Sequence, residues 1–105
     1  MSIQSRMEMF RGEDVTLTFT MSPVVNITGW AITWKMAERP GDTVLLTKTA
    51  TLSDPTNGVF TVSLASADTA EMDAGLYWFD ARRTDSGSKA TLADGTIRLK
   101  QEITA

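Results

Sequence analysis

Apolar and polar residues alternate along most of this sequence, and the alternation limits the folds that the chain can adopt. Val15, Leu17 and Phe19, for example, alternate with threonines. A period of two places every second side chain on one face of an extended strand, so the pattern predicts half-buried β-strands. Threonine at the other positions suits a pleated surface that faces water. The alternating segments are 15–20, 30–36, 60–64, 77–82 and 97–103, with a less regular one at 44–47.

Turn-forming residues separate these predicted strands. The sequence Arg-Pro-Gly-Asp at 39–42 predicts a tight turn after the second strand. Asp-Pro-Thr-Asn-Gly at 54–58 predicts a hairpin loop, because Asn-Gly adopts the positive φ that such loops need. A second hairpin loop is predicted over 84–88. After Asp-Gly at 94–95 the strand pattern resumes at once, which predicts a glycine bulge inside one long final strand.

One segment departs from the strand pattern. Residues 66–72 contain helix-forming residues after a serine, which predicts a single helical turn, although Thr69 stands where an acid would complete a capping box. Seven or eight short strands with one helical turn are typical of an all-β, antiparallel sandwich. The chain has 105 residues, which is enough for one small domain and too few for two. We therefore expect a single domain over 1–105, with its core over about 11–103.

The spacing of four aromatic residues resembles the signature of an immunoglobulin-like domain. In that fold a disulfide joins the two sheets and packs on a tryptophan, and a tyrosine two residues before the second cysteine braces a corner. Phe19, Trp34 and Phe79 stand where that fold keeps its first cysteine, its tryptophan and its second cysteine. Tyr77 stands at the position of the corner tyrosine. The resemblance implies an immunoglobulin-like sandwich without a disulfide, with these four residues in its structural core.

The order of motifs along the chain also resembles one group of such domains, the immunoglobulin-like modules of tailed-bacteriophage structural proteins. The N-terminal domain of baseplate upper proteins is a notable example. The resemblance implies a protein of the virion, made in the cytoplasm of the bacterial host, that contacts other virion proteins and its own copies. The matching segments are 11–18, 26–30, 54–62, 64–69, 73–80 and 95–99.

The composition excludes several classes of function. The sequence has no cysteine and no histidine, which removes disulfides, zinc fingers, thiol nucleophiles and the commonest general base. A net charge of −3 gives no electrostatic reason to bind nucleic acid or an anionic membrane. We expect a non-enzymatic protein with no catalytic residue, no cofactor and no metal. The one metal alternative is a calcium site among Asp68, Glu71 and Asp73.

Trp78 is the strongest candidate for an interaction site. If Tyr77 and Phe79 point inward, Trp78 points outward. A tryptophan on an outer sheet face is more often covered by a neighbouring chain or by a loop than left bare. The cover is either an interface between chains or the chain's own N-terminal segment. The candidate apolar neighbours are Met7, Met9 and Phe10.

Besides a hydrolase, which would need two carboxylates that converge in a cleft, two functions remain. The first is a structural or attachment module of a bacteriophage particle, in a tail, baseplate, fibre or head decoration, that acts through protein–protein docking. The second is a carbohydrate- or ligand-binding sandwich, which an exposed aromatic residue flanked by carboxylates in a groove would favour. A set of basic residues is better interpreted as a solvated sheet face, because the chain is acidic overall. These residues are Arg82, Arg83, Lys89 and Arg98.

Overall fold

The computed structural model describes residues 3–21, 24–85 and 90–101, and in these ranges the chain forms eight strands and one short α-helix. A 3-10 turn, Pro55–Asn57, joins the fifth and sixth strands. The helix α1 spans Ser66–Thr69. The strands are β1 (Ile3–Phe10), β2 (Val15–Thr20), β3 (Ile32–Ala37), β4 (Leu46–Thr49), β5 (Thr51–Asp54), β6 (Val59–Leu64), β7 (Gly75–Arg83) and β8 (Ala90–Lys100).

The strands form two sheets that pack face to face. One sheet has five strands in the order β1-β8-β7-β3-β4, and the other has three in the order β2-β6-β5. The chain passes from the larger sheet to the smaller one at Ala50, whose N–H donates to the carbonyl oxygen of Ile32 at 2.9 Å. This arrangement confirms the predicted all-β, immunoglobulin-like sandwich with one short helix. The prediction of a wholly antiparallel fold needs one correction, since β1 runs parallel to β8.

Phe19, Trp34 and Phe79 are buried between the two sheets, as predicted. The Phe79 ring lies 5.9 Å from the Phe19 ring across the sandwich and 5.9 Å from the Trp34 ring beside it, measured between centroids. Phe60, which lies opposite Phe19 in the β2–β6 pair, stacks on Phe19 at 5.1 Å. Ring separations of this size are those of favourable aromatic pairs. A cluster of phenylalanines therefore occupies the place between the sheets that a disulfide would bridge.

Tyr77 braces the chain where it enters β7. Its hydroxyl group donates to the carbonyl oxygen of Asp73 at 2.7 Å. Burial raises the pKa of the Tyr77 phenol above its ordinary value, which keeps the hydroxyl protonated as a donor. The corner role that the sequence implied for Tyr77 is confirmed by this geometry.

Replacing Tyr77 with phenylalanine tests how much this corner stabilises the fold. The variant Tyr77→Phe keeps the packed ring and loses the hydrogen bond to Asp73. We expect the free energy of unfolding to fall by about 1 kcal/mol, the net contribution of one such bond. Urea denaturation of both proteins measures the difference, and an unchanged midpoint at an unchanged slope would contradict the assigned role.

The hairpin at 54–58 forms as predicted, and its last residue must be glycine. Gly58 has a φ of +72°, whereas no other residue type in the described part of the chain has a positive φ. A side chain at Gly58 would also bring its Cβ to 2.7 Å from the carbonyl oxygen of Val25. Positive φ and close approach of another backbone are the two conditions that select glycine.

Several boundaries differ from the sequence prediction. The segment predicted at 44–47 forms β4 over Leu46–Thr49, and β5 over Thr51–Asp54 was not predicted. The segment 3–10, which precedes the predicted core, forms β1, because its backbone pairs with the distant strand β8. The irregularity in the last strand lies at Leu92, which has no partner between the pairs Ala81–Ala93 and Arg82–Thr91, whereas Gly95 pairs normally. Trp30 precedes β3 rather than starting it. Residues 86–88 of the second hairpin loop, and Ile103 of the final predicted strand, lie outside the described residues.

Candidate docking surface

The side chains of β7 alternate between the core and water, so the buried set determines which residues are exposed. Tyr77, Phe79 and Ala81 are buried in the core, so the alternate residues project from the opposite side of the larger sheet. Trp78 is 40% exposed and Leu76 is 45% exposed. The structure thus places Trp78 on the outer face of the sheet, as the sequence phase predicted.

The neighbours of Trp78 on this outer face come from three other strands. In the strand register Trp78 lies beside Thr96 of β8 and Ala37 of β3, and Thr96 lies beside Arg6 of β1. One row further along, Leu76 lies beside Arg98. We call this surface the Trp78 face. It consists of Arg6, Ala37, Leu76, Trp78, Thr96 and Arg98.

Trp78 forms a ridge between two shallow grooves. The groove on the β1 side has a volume of about 440 Å³. Its lining includes Leu76 and the cationic side chains Arg6 and Arg98. The groove on the β3 side has a volume of about 380 Å³. Its lining includes Trp78, Asp80 and Asp94. The indole is therefore reachable from both sides. Charges of both signs border each groove, because Glu8 also lines the first and Lys35 and Arg39 also line the second.

Of the three apolar neighbours proposed for Trp78, Met7 lines the groove on the β1 side with it, whereas Met9 does not reach the surface. Met9 is only 5% exposed and belongs to the core, and Met7 is half-buried against that core. Phe10 is 38% exposed, but the Lys100 ammonium lies 4.5 Å from its ring centroid. The expectation that Met9 lies at an exposed surface is therefore wrong, because β1 alternates and turns Met9 toward the sandwich interior. Leu76 was not among the predicted surface residues, although it lies two residues before Trp78 and therefore on the same face of the strand.

Arg83 belongs to a separate cluster at the end of β7 and not to a basic patch. Its guanidinium donates to both carboxylate oxygens of Asp85, at 2.7 to 2.9 Å, and stacks on the Trp30 ring at 4.0 Å. Asp85 also accepts a hydrogen bond from the N–H of Ala31 at 3.1 Å. The bonds from Arg83 lower the pKa of Asp85 to about 2. This cluster ties the loop before β3 to the end of β7. The proposed patch member Lys89 lies outside the described residues.

The Arg83–Asp85 pair predicts a defined pH dependence of stability. A carboxyl group whose pKa is lowered by folding stabilises the native state above its unfolded pKa of about 3.8. That stabilisation is lost as the pH falls through the folded pKa of about 2. The variant Asp85→Asn should therefore melt at a lower temperature than the wild type near pH 6, and the gap should close between about pH 4 and pH 2. A gap that stays constant over this range would show that ionisation of Asp85 contributes nothing.

The carboxylates near α1 are held by protein groups. Asp68 accepts a hydrogen bond from the N–H of Ala65 and lies 2.8 Å from the Lys48 ammonium, which lowers the pKa of Asp68 below its ordinary value. Asp14 accepts a hydrogen bond from the N–H of Ser66, the first residue of α1. Across the described ranges, no three acidic side chains converge as metal ligands would. These contacts give Asp68 and Asp14 a role in anchoring the helical turn.

Comparison with known proteins yields no matching family model and no matching curated sequence. No helix in the part of the chain that the structure describes is long and apolar enough to cross a membrane. The sequence motifs and the geometry of the Trp78 face are therefore the basis on which a function can be inferred.

Proposed function

We propose that this protein is a non-enzymatic building or attachment module of a tailed-bacteriophage particle, and that it docks on other particle proteins through the Trp78 face. The motif order along the chain supports the phage assignment through its resemblance to phage immunoglobulin-like modules. The exposed indole in the middle of a sheet face supports the docking role. The single observation that carries the proposal is the 40% exposure of Trp78 beside Leu76, which is 45% exposed.

The composition of the Trp78 face supports binding to a protein. Interfaces are anchored by a few aromatic and arginine residues, with less critical contacts around them that exclude water. Here Trp78 and Leu76 form the apolar centre, and Arg6 and Arg98 border it. Because Glu8 lies in the same groove as the two arginines, the border favours a partner surface with apolar contacts at its centre and charges of both signs at its edge.

A non-enzymatic role is supported by what the sequence offers for chemistry. Activation of a serine or threonine nucleophile requires a base, and the chain has no histidine to serve as one. Asp80 and Asp94, which line a groove with Trp78, lie directly opposed in the β7–β8 register. A shallow groove on a sheet face does not exclude water from a reacting group as a closed active site does.

The variant Trp78→Ser tests the docking role. Because Trp78 projects away from the core, the variant should stay folded, with a melting temperature within a few degrees of the wild type. Its binding to partner particle proteins, or to its own copies, should weaken at least tenfold, as expected for an aromatic anchor. Val24→Ser is the matched control, since Val24 is an exposed apolar residue in a loop outside the sheet.

Sedimentation velocity measures binding of the protein to its own copies, and co-sedimentation with purified particles measures binding to partner particle proteins. Unfolding of Trp78→Ser would mean that Trp78 stabilises the core. Wild-type binding by a folded Trp78→Ser would place the interface elsewhere and overturn the proposal.

A second function is favoured by one specific observation. Trp78 shares a groove with Asp80 and Asp94, and one carboxylate oxygen of Asp94 is buried without a hydrogen-bond partner among the described residues. An aromatic face with adjacent carboxylates can stack on a sugar ring and accept hydrogen bonds from its hydroxyl groups. The alternative function is therefore carbohydrate binding on the β3 side of Trp78.

Two further variants separate the alternatives. Asp80→Asn removes a carboxylate from the groove on the β3 side, whereas Leu76→Ser removes an apolar contact from the groove on the β1 side. Carbohydrate binding, measured by affinity electrophoresis against host surface polysaccharide, should fall with Asp80→Asn and survive Leu76→Ser. Protein docking should show the opposite order.

A further inference from the structure

Two opposite charges lie at equal distances from Trp78 along the neighbouring strand. Trp78 lies beside Thr96 of β8 in the strand register. Two residues from Thr96 along β8, Arg98 lies on one side and Asp94 on the other. Residues two apart in a strand share a face, and Arg98 and Asp94 each line one of the two grooves beside Trp78. The Trp78–Thr96 pair therefore has a cation on one side and an anion at the equivalent position on the other.

Neither of these two charges is neutralised by the part of the chain that the structure describes. Glu8 lies opposite Arg98 in the β1–β8 register, but its carboxylate lies 3.3 Å from the Lys100 ammonium instead. No ion pair within the described ranges includes Arg98 or Asp94. One carboxylate oxygen of Asp94 is also buried without a hydrogen-bond partner there. Both charged groups are thus available to pair with another molecule.

A second copy of the Trp78 face has the composition that this surface favours in a partner, namely an apolar centre with charges of both signs at its edge. Two sheets that pack face to face lie about 10 Å apart with their strands nearly aligned. A twofold axis between two such sheets, perpendicular to the strands and over the Trp78–Thr96 pair, brings the two copies of Trp78 together. The same axis places Arg98 of each copy opposite Asp94 of the other.

We propose that two copies of this protein pack through their Trp78 faces about this axis, with two equivalent Arg98–Asp94 ion pairs. The inference rests on the proposed docking role of the Trp78 face and names its occupant. Such an interface is isologous, because every contact occurs twice. The usual rotation of about 30° between aligned sheets shifts each charge by about 4 Å from direct opposition, and the long side chain of Arg98 can span that shift.

The other charges of the sheet face favour this orientation over the alternative one. With the axis perpendicular to the strands, Asp80 faces Leu76 of the other copy and keeps Lys35 of β3 beside it. With the axis parallel to β7, Asp80 would face Asp80 of the other copy, and like charges would meet near the centre of the interface. The perpendicular axis brings two copies of Arg6 together, but they lie on the edge strand β1, where water and salt screen them.

The face is large enough for a specific dimer. Val44, which is exposed, lines the groove on the β3 side and extends the apolar centre formed by Leu76 and Trp78. Five strands about 4.8 Å apart span about 24 Å, and the nine residues of β7 span about 30 Å. The sheet therefore offers roughly 700 Å² on each copy, close to the ~800 Å² per partner of a standard interface.

Charge reversal at the two positions tests the arrangement. In Arg98→Glu the new carboxylate faces Asp94 of the other copy, and in Asp94→Arg the new guanidinium faces Arg98. Each variant alone should dimerise at least about tenfold more weakly than the wild type. In an equimolar mixture of the two variants, both contacts again join opposite charges. The mixture should therefore form a heterodimer within about threefold of the wild-type affinity, measured by sedimentation velocity.

Two further variants serve as controls. Arg82→Glu reverses a charge on the same side of β7, four residues from Trp78, and should dimerise like the wild type. Thermal melting by circular dichroism checks that each variant is folded. If Asp94→Arg does not fold, Asp94→Asn replaces it. A mixture of Asp94→Asn with Arg98→Glu should then associate more tightly than Arg98→Glu alone, because one ion pair is restored and both repulsions are removed.

Three results would overturn the inference. The first is a wild type that stays monomeric up to about 0.5 mM, in which case the proposed function survives if the monomer still binds purified particles through Trp78. The second is a mixture of the charge-reversal variants that associates no better than either variant alone. The third is self-association that Trp78→Ser leaves unchanged, which would place the contact between copies on another surface.

Discussion

The contact between Phe19 and Phe79 is the interaction on which the rest of this structure depends. It joins the two sheets at a ring distance of 5.9 Å, and Trp34 and Phe60 enclose it from either side. A disulfide at the same place would hold the sheets by a covalent bond and would need an oxidising compartment. An aromatic cluster instead stabilises the sandwich through burial and packing, which is compatible with folding in a reducing cytoplasm.

The same contact fixes which surfaces are left for other molecules. Once Phe79 points inward, Trp78 points outward, and the Trp78 face follows from the register of the neighbouring strands. The Trp78 face is thus a consequence of the internal packing arrangement.

Features that depend on local sequence could be predicted, and features that depend on distant pairing could not. The phase of β7, the hairpin at 54–58 and the corner at Tyr77 follow from period-two patterns and turn residues over a few positions. β1 was missed because its pairing with β8 joins residues more than 80 positions apart. The bulge was placed at Gly95 because glycine often marks one, whereas two consecutive buried residues, Leu92 and Ala93, mark the true position. The grooves beside Trp78 need four strands in register, which alternation within one strand does not encode.

A double-mutant cycle on Phe19 and Phe79 tests the central claim most directly. The variants Phe19→Leu and Phe79→Leu, singly and together, keep apolar side chains and remove one or both rings, and chemical denaturation gives the free energy of unfolding of each. If the two rings hold the sheets together through their mutual contact, the double variant should lose about 1 kcal/mol less than the sum of the single losses. Losses that add to within about 0.3 kcal/mol would contradict the account, because the two rings would then stabilise the sandwich independently.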